Sequence, residues 1–116
     1  MAHDKRLAYL NDVVASIALI ETFCEGKTVA DLKREALFRS AVERQRTIIG
    51  EAVTKILKLD PSLESAIQSC RQIVGFRNQL IHNYGSLDYD VVWTVISQEL
   101  PILKNDATKL LCLYTR

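Results

Sequence analysis

Apolar residues recur along this chain at three- and four-residue steps almost from end to end, the period of a helix face rather than of a strand. Leu7, Leu10, Val14, Ile17 and Cys24 form the first such stripe. Gly26 follows it, a residue suited to the position just past a helix end. Thr28 with Asp31 three residues on has the form of a capping box and predicts a new start. The second stripe is Phe38, Val42, Gln45, Ile49, Ala52, Ile56 and Leu59, with Gln45 as its one polar member. Gly50 within it predicts close approach by another helix. Asp60-Pro61 then reads as an N-cap followed by proline at the first helical position.

The third stripe runs Leu63, Ile67, Cys70, Val74 and then Arg77 and Ile81, so an arginine takes a place the period assigns to an apolar side chain. Asn83-Tyr84-Gly85-Ser86 is a turn signal, and Asp88 is the expected N-cap of a last helix. That helix carries Val92, Ile96, Leu103, Ala107 and Leu110, and Pro101 is expected to kink it rather than end it. No alternating run supports a sheet. The pattern predicts an all-α protein, an antiparallel bundle of four to five helices, with residues 1–116 as one domain.

Composition narrows the function classes. An apolar fraction of 48% and a charged fraction of 25% are ordinary for a globular chain. The net charge of +1 argues against non-specific coating of nucleic acid or of an anionic membrane. The charge is unevenly spread, with eight Lys or Arg against four acids between Lys27 and Lys58. No signal-peptide core and no uninterrupted apolar run of about 18 residues stands in the sequence, so a cytoplasmic chain with no membrane partner is expected. Cys24, Cys70 and Cys112 are far apart and in no metal-ligand spacing, and buried free thiols are expected of them.

The chemistry concentrates in Gly75-Phe76-Arg77-Asn78-Gln79-Leu80-Ile81-His82-Asn83-Tyr84-Gly85. A charged Arg in an apolar seam is costly unless a partner or ligand meets it. One of only two histidines follows five residues later, then a tyrosine. On a continuous helix that step is a rotation of roughly 140°, so Arg77 and His82 would not share a face. They converge if the helix loosens near His82, or if a second copy brings its own pair across an interface. The plain alternative is that Arg and His at a helix C-terminus merely offset the helix dipole. Trp93 and Tyr89 are candidates for stacking on bases, though packing is the commoner use of aromatics at a helix start. His3, near the N-terminus, is expected to have no role.

Arg77-x4-His82-x-Tyr84 resembles the R-x4-H-x-Y motif of HepT-like toxins within the HEPN superfamily. The resemblance extends to Ala41-Val42-Glu43-Arg44 through Ile48-Ile49-Gly50-Glu51-Ala52, to Ile73-Val74-Gly75-Phe76-Arg77-Asn78, and to Asp88-Tyr89-Asp90-Val91-Val92-Trp93. It covers the chain from about Asp4 to Leu103, with Cys70-Arg71 standing where many relatives have Trp-Arg. The resemblance implies a HEPN-like helical homodimer acting as a metal-independent endoribonuclease toxin of a toxin–antitoxin pair, with no cofactor. It assigns catalysis to Arg77 and His82, a supporting polar role to Asn78, and AMPylation by a cognate MNT-type nucleotidyltransferase antitoxin to Tyr84. The competing class is a non-catalytic helical module that docks to and regulates a small nucleotidyltransferase. A helical oligomer without activity is a third.

Overall fold

The computed structural model describes residues 4–68, 73 and 88–115. Among them every regular element is helical and no strand occurs. Helix α1 spans Lys5–Cys24 and begins on Asp4, whose side chain accepts from the Arg6 backbone N–H. Glu25 closes it, and Gly26 turns the chain at φ +68°, the left-handed conformation that a side chain would disfavour. The predicted capping box is present at α2 (Val29–Arg34). Thr28 N donates to Asp31 Oδ2 at 2.9 Å while Asp31 N donates to Thr28 Oγ1 at 3.3 Å.

The long α3 (Ala36–Leu59) ends at Asp60, where the predicted Asp-Pro start also appears. That start opens a short 3-10 turn, Pro61–Glu64, with Asp60 accepting from the Ser62 N–H. Asp88 caps α4 (Tyr89–Thr94), accepting from the Asp90 and Val91 N–H groups. A π turn, Val95–Glu99, joins α4 to α5 (Leu100–Tyr114) without a break in the helical path. Pro101 explains it. Proline lacks an N–H and its ring crowds the carbonyl four residues back, so the backbone widens just ahead of it and the Leu100 N–H reaches back to Val95 O.

Contacts at the helix ends give the directions. Arg6, at the start of α1, meets Asp60 at the end of α3 and the Tyr114 ring at the end of α5. Lys104 near the start of α5 pairs with Glu21 near the end of α1 at 2.8 Å. Helix α1 therefore runs antiparallel to both α3 and α5. Its core face is Leu10, Val13, Ile17 and Ile20, all at 0–1% exposure, against Ile49, Ala52, Val53 and Ile56 of α3 and Leu103, Ala107 and Leu110 of α5. Burying each such side chain contributes roughly 1.5–3 kcal/mol. A second, smaller cluster of Leu32, Phe38, Val42 and Val92 binds α2, the start of α3 and α4.

Three expectations change. Averaged over its length, α1 is long and apolar enough to cross a bilayer, with a mean hydropathy of 1.5. Counting uninterrupted apolar runs overlooks this, because Asn11 and Asp12 interrupt it. The packing of α1 against α3 and α5 is what lets a core helix pass the same test. On α3 the buried polar member of the stripe is Arg46, at 7% exposure, and Gln45 is only half-buried. Both positions fit a four-and-three spacing between Val42 and Ile49, so the period alone could not choose. Finally, Cys24 is half-buried but Cys112 is exposed on α5, so burial does not hold for both thiols.

Candidate functional site

Arg77, Asn78, His82 and Tyr84 lie outside the described residues, as do Cys70 and His3. The described residues that bracket the motif in sequence are Ile73, four before Arg77, and the capped start of α4 at Asp88 and Tyr89. Ile73 is buried at 6% in the core cluster that includes Ile49, Ala52 and Val53 of α3. Tyr89 is fixed to the same helix one to two turns earlier, where its hydroxyl donates to Glu43 Oε1 at 3.1 Å. The chain that carries the motif is thus bounded on both sides by residues that belong with α3.

A polar cluster occupies that stretch of α3. Arg39, Glu43 and Arg46 follow one another by four and three residues, which places them along one side of the helix. The Arg39 guanidinium lies over the Tyr89 ring, 5.4 Å from its centroid, and donates to the carbonyls of Leu32 and Lys33 at 3.3 and 2.8 Å. It thereby satisfies the open C-terminal carbonyls of α2. Burial pushes the Arg46 guanidinium down to about 10, opposed by the nearby Glu43 and Tyr89 oxygens, so it stays cationic at neutral pH. Burial also raises the Tyr89 phenol, and the hydrogen bond to Glu43 adds to the effect, so Tyr89 stays protonated and donating.

The structure also accounts for most of the basic excess between Lys27 and Lys58. Lys27 pairs with Glu35, Lys33 with Asp90, and Arg34 with Asp31 and Glu35. Arg39 is taken up by backbone carbonyls and Arg46 by the interior. Arg44, Lys55 and Lys58 are the exposed remainder, too few for a polyanion track on that face alone. Trp93 packs half-buried against the cluster of Leu32, Phe38, Val42 and Val92, in line with a packing role. Among the described residues no three His, Cys, Asp or Glu side chains are gathered in a way that could hold a metal ion.

Sequence reading missed Arg46, Glu43 and Arg39 as a group. The signal available was their spacing on one side of α3, but nothing in the period pointed to Tyr89, 46 residues on, as their partner.

Helices packed antiparallel around one apolar core, with a buried polar cluster on the helix that bounds an Arg-x4-His-x-Tyr segment, define an all-α protein of HEPN type. The chain belongs to the ribonuclease HepT-like family, whose model matches residues 14–110. It is 33% identical over 102 residues to a protein of Thermococcus cleftensis named "Probable ribonuclease HepT", covering 88% of this chain and 92% of that one. A candidate RNase of Caldanaerobacter subterraneus is 27% identical over 103 residues, 89% of this chain and 91% of its own length. A Methanocaldococcus jannaschii protein named as both a gamma-glutamylcyclotransferase and a candidate RNase is 31% identical over 103 residues. This chain spans only 46% of that last protein. No solved structure matches the chain.

Proposed function

We propose that this protein is a metal-independent endoribonuclease toxin in which Arg77 and His82 act at a cleft between two copies of the chain. The observation that carries the reading is the family match over residues 14–110, which takes in the whole of Arg77-x4-His82-x-Tyr84. The chemistry follows from the side chains. RNA supplies its own nucleophile, the 2′-hydroxyl. That oxygen attacks the adjacent phosphorus and the bond from phosphorus to the 5′-oxygen breaks, leaving a 2′,3′-cyclic phosphate and a 5′-hydroxyl. One imidazole, with an ordinary pKa near ~6.5, takes the 2′ proton, and a second delivers a proton to the leaving oxygen. A dimer provides both from His82. The Arg77 guanidinium offsets the charge growing on the phosphorus oxygens, with Asn78 as a polar helper.

The partner in this reading is an MNT-type nucleotidyltransferase antitoxin. The Tyr84 phenolic oxygen attacks the α-phosphorus of a nucleoside triphosphate held by that enzyme, pyrophosphate leaves, and the phenolic proton passes to a base. The attached AMP brings bulk and negative charge beside Arg77 and opposes the RNA backbone. The alternative, a non-catalytic module that docks to the nucleotidyltransferase, has no use for an Arg and His pair at this spacing.

Purified protein and its variants test the reading on a labelled RNA. His82→Ala and Arg77→Ala each lower cleavage by ~10²–10⁴-fold without lowering the melting temperature. Cleavage persists in EDTA and leaves the cyclic phosphate end. Tyr84→Phe keeps the nuclease activity but escapes silencing by the co-expressed partner, and mass spectrometry finds AMP on Tyr84 in the parent protein. Full activity in His82→Ala, or activity restored only by added metal, overturns the mechanism. AMP on another residue overturns the switch.

A further inference from the structure

We infer that Glu43 is a positioning residue for the proposed ribonuclease site, acting through Tyr89; the inference rests on that reading of the site. The chain that carries the motif re-enters described structure at Asp88, and Tyr89 is the first residue of α4. Helix α4 is only six residues long, too short to hold its own direction, so its orientation depends on what it touches. Val92 buries one side of it against Leu32, Phe38 and Val42. Apolar contact of that kind is non-directional and does not fix rotation about the helix axis. The Tyr89 hydroxyl on Glu43 Oε1 at 3.1 Å does, because a hydrogen bond to a carboxylate has a required direction and is stronger than a neutral one. Arg39 over the ring holds the same side chain from its face.

The residue types bear on purpose as well. Glu43 and Arg46 adjoin Val42, which is fully buried, and a well-packed apolar pair there would be at least as stable as half-buried charges. A carboxylate at this point gives direction where an apolar side chain would give only contact. It sets the angle at which the chain leading out of Tyr84 meets α3.

Three variants of the full chain decide it, each followed by RNA cleavage and by hydrogen exchange at the α4 amides of Asp90 to Val92. Tyr89→Phe keeps the ring and its contact with Arg39 but removes the donor. Glu43→Ala removes the acceptor, and Glu43→Gln restores it. Tyr89→Phe and Glu43→Ala are expected to lower kcat about 10-fold with KM unchanged, and to speed exchange in α4 but not in α1. Glu43→Gln recovers most of both. Unchanged exchange in Tyr89→Phe overturns the inference whatever the activity. So does a wild-type kcat in Tyr89→Phe, or a Glu43→Gln variant as impaired as Glu43→Ala. If exchange responds as expected but the parent protein cuts no RNA, the positioning of α4 stands and the ribonuclease reading falls.

Discussion

At one end of the bundle Arg6 meets Asp4 at 2.9 Å, Asp60 at 2.9 Å and the face of Tyr114 at 4.1 Å, tying the start of α1 to the ends of α3 and α5. Nearer the other end Arg46 sits at 7% exposure in the middle of α3, with Glu43 a turn before it and Tyr89 arriving from α4. Arg6 stays at 28% exposure, and Asp4 draws its guanidinium further toward the charged form. Arg46 loses most of its hydration and moves the opposite way. The same side chain thus serves two purposes. Where water still reaches it, an arginine stitches helix ends at little cost. Where water is excluded, it is held only at a desolvation penalty, and the place where the fold tolerates that penalty adjoins the chain that carries the Arg-x4-His motif.

The comparison breaks most sharply at Arg46. Arg46→Ala should cost ~3–5 kcal/mol, since it leaves a cavity and strands the Glu43 side chain without its neighbouring cation. Arg46→Met, which keeps the length without the charge, should fall within ~1 kcal/mol of the parent in urea unfolding. Equal losses in the two variants would show that charge and not packing dominates there. Arg6→Ala should lower the melting temperature by less than Arg46→Ala, and by an amount that shrinks as salt rises, because its pairs are open to solvent.

Acid sharpens the same contrast. Hydrogen bonds from Ser62, and then the pairing with Arg6, hold the Asp60 carboxyl below its ordinary range. A depressed carboxyl contributes stability that is present above the unfolded value near ~4 and is lost as pH falls through the folded one. Asp60→Asn should therefore flatten the stability profile below pH ~4 while changing it little between pH 6 and 8. An unchanged acid limb would exclude Asp60 from the clasp. The smallest effect belongs to Lys33 and Asp90, paired at 3.0 Å but 49% and 66% exposed. Lys33→Ala should change stability by no more than ~1 kcal/mol, and not at all at high salt.

Much of this architecture was written locally. Gly26, the Thr28–Asp31 box, Asp60-Pro61 and Asp88 each act within three residues of themselves, so their effects could be read without knowing the fold. The continuation of the last helix past Pro101 was legible for the same reason, although the π turn that allows it was not. Among the candidate site residues, Arg77, Asn78, His82 and Tyr84 came from spacing and family pattern alone, and they lie outside the described residues.

Choices that turn on the far side of the chain were beyond a one-dimensional reading. Gln45 and Arg46 fit the helical period equally, and only the packing around α3 makes Arg46 the buried one. Cys112 lies on the last helix among residues whose periodicity suggests an interior, yet α1 and α3 already fill that core and leave the thiol outside. The hydrogen bond from Tyr89 to Glu43 joins residues 46 apart in sequence. Periodicity fixes which residues share a helix face, because that depends only on the turn of the backbone. Which face is buried, and which polar group on it finds a partner, depends on helices that arrive from elsewhere in the chain, and that was decided only when they packed.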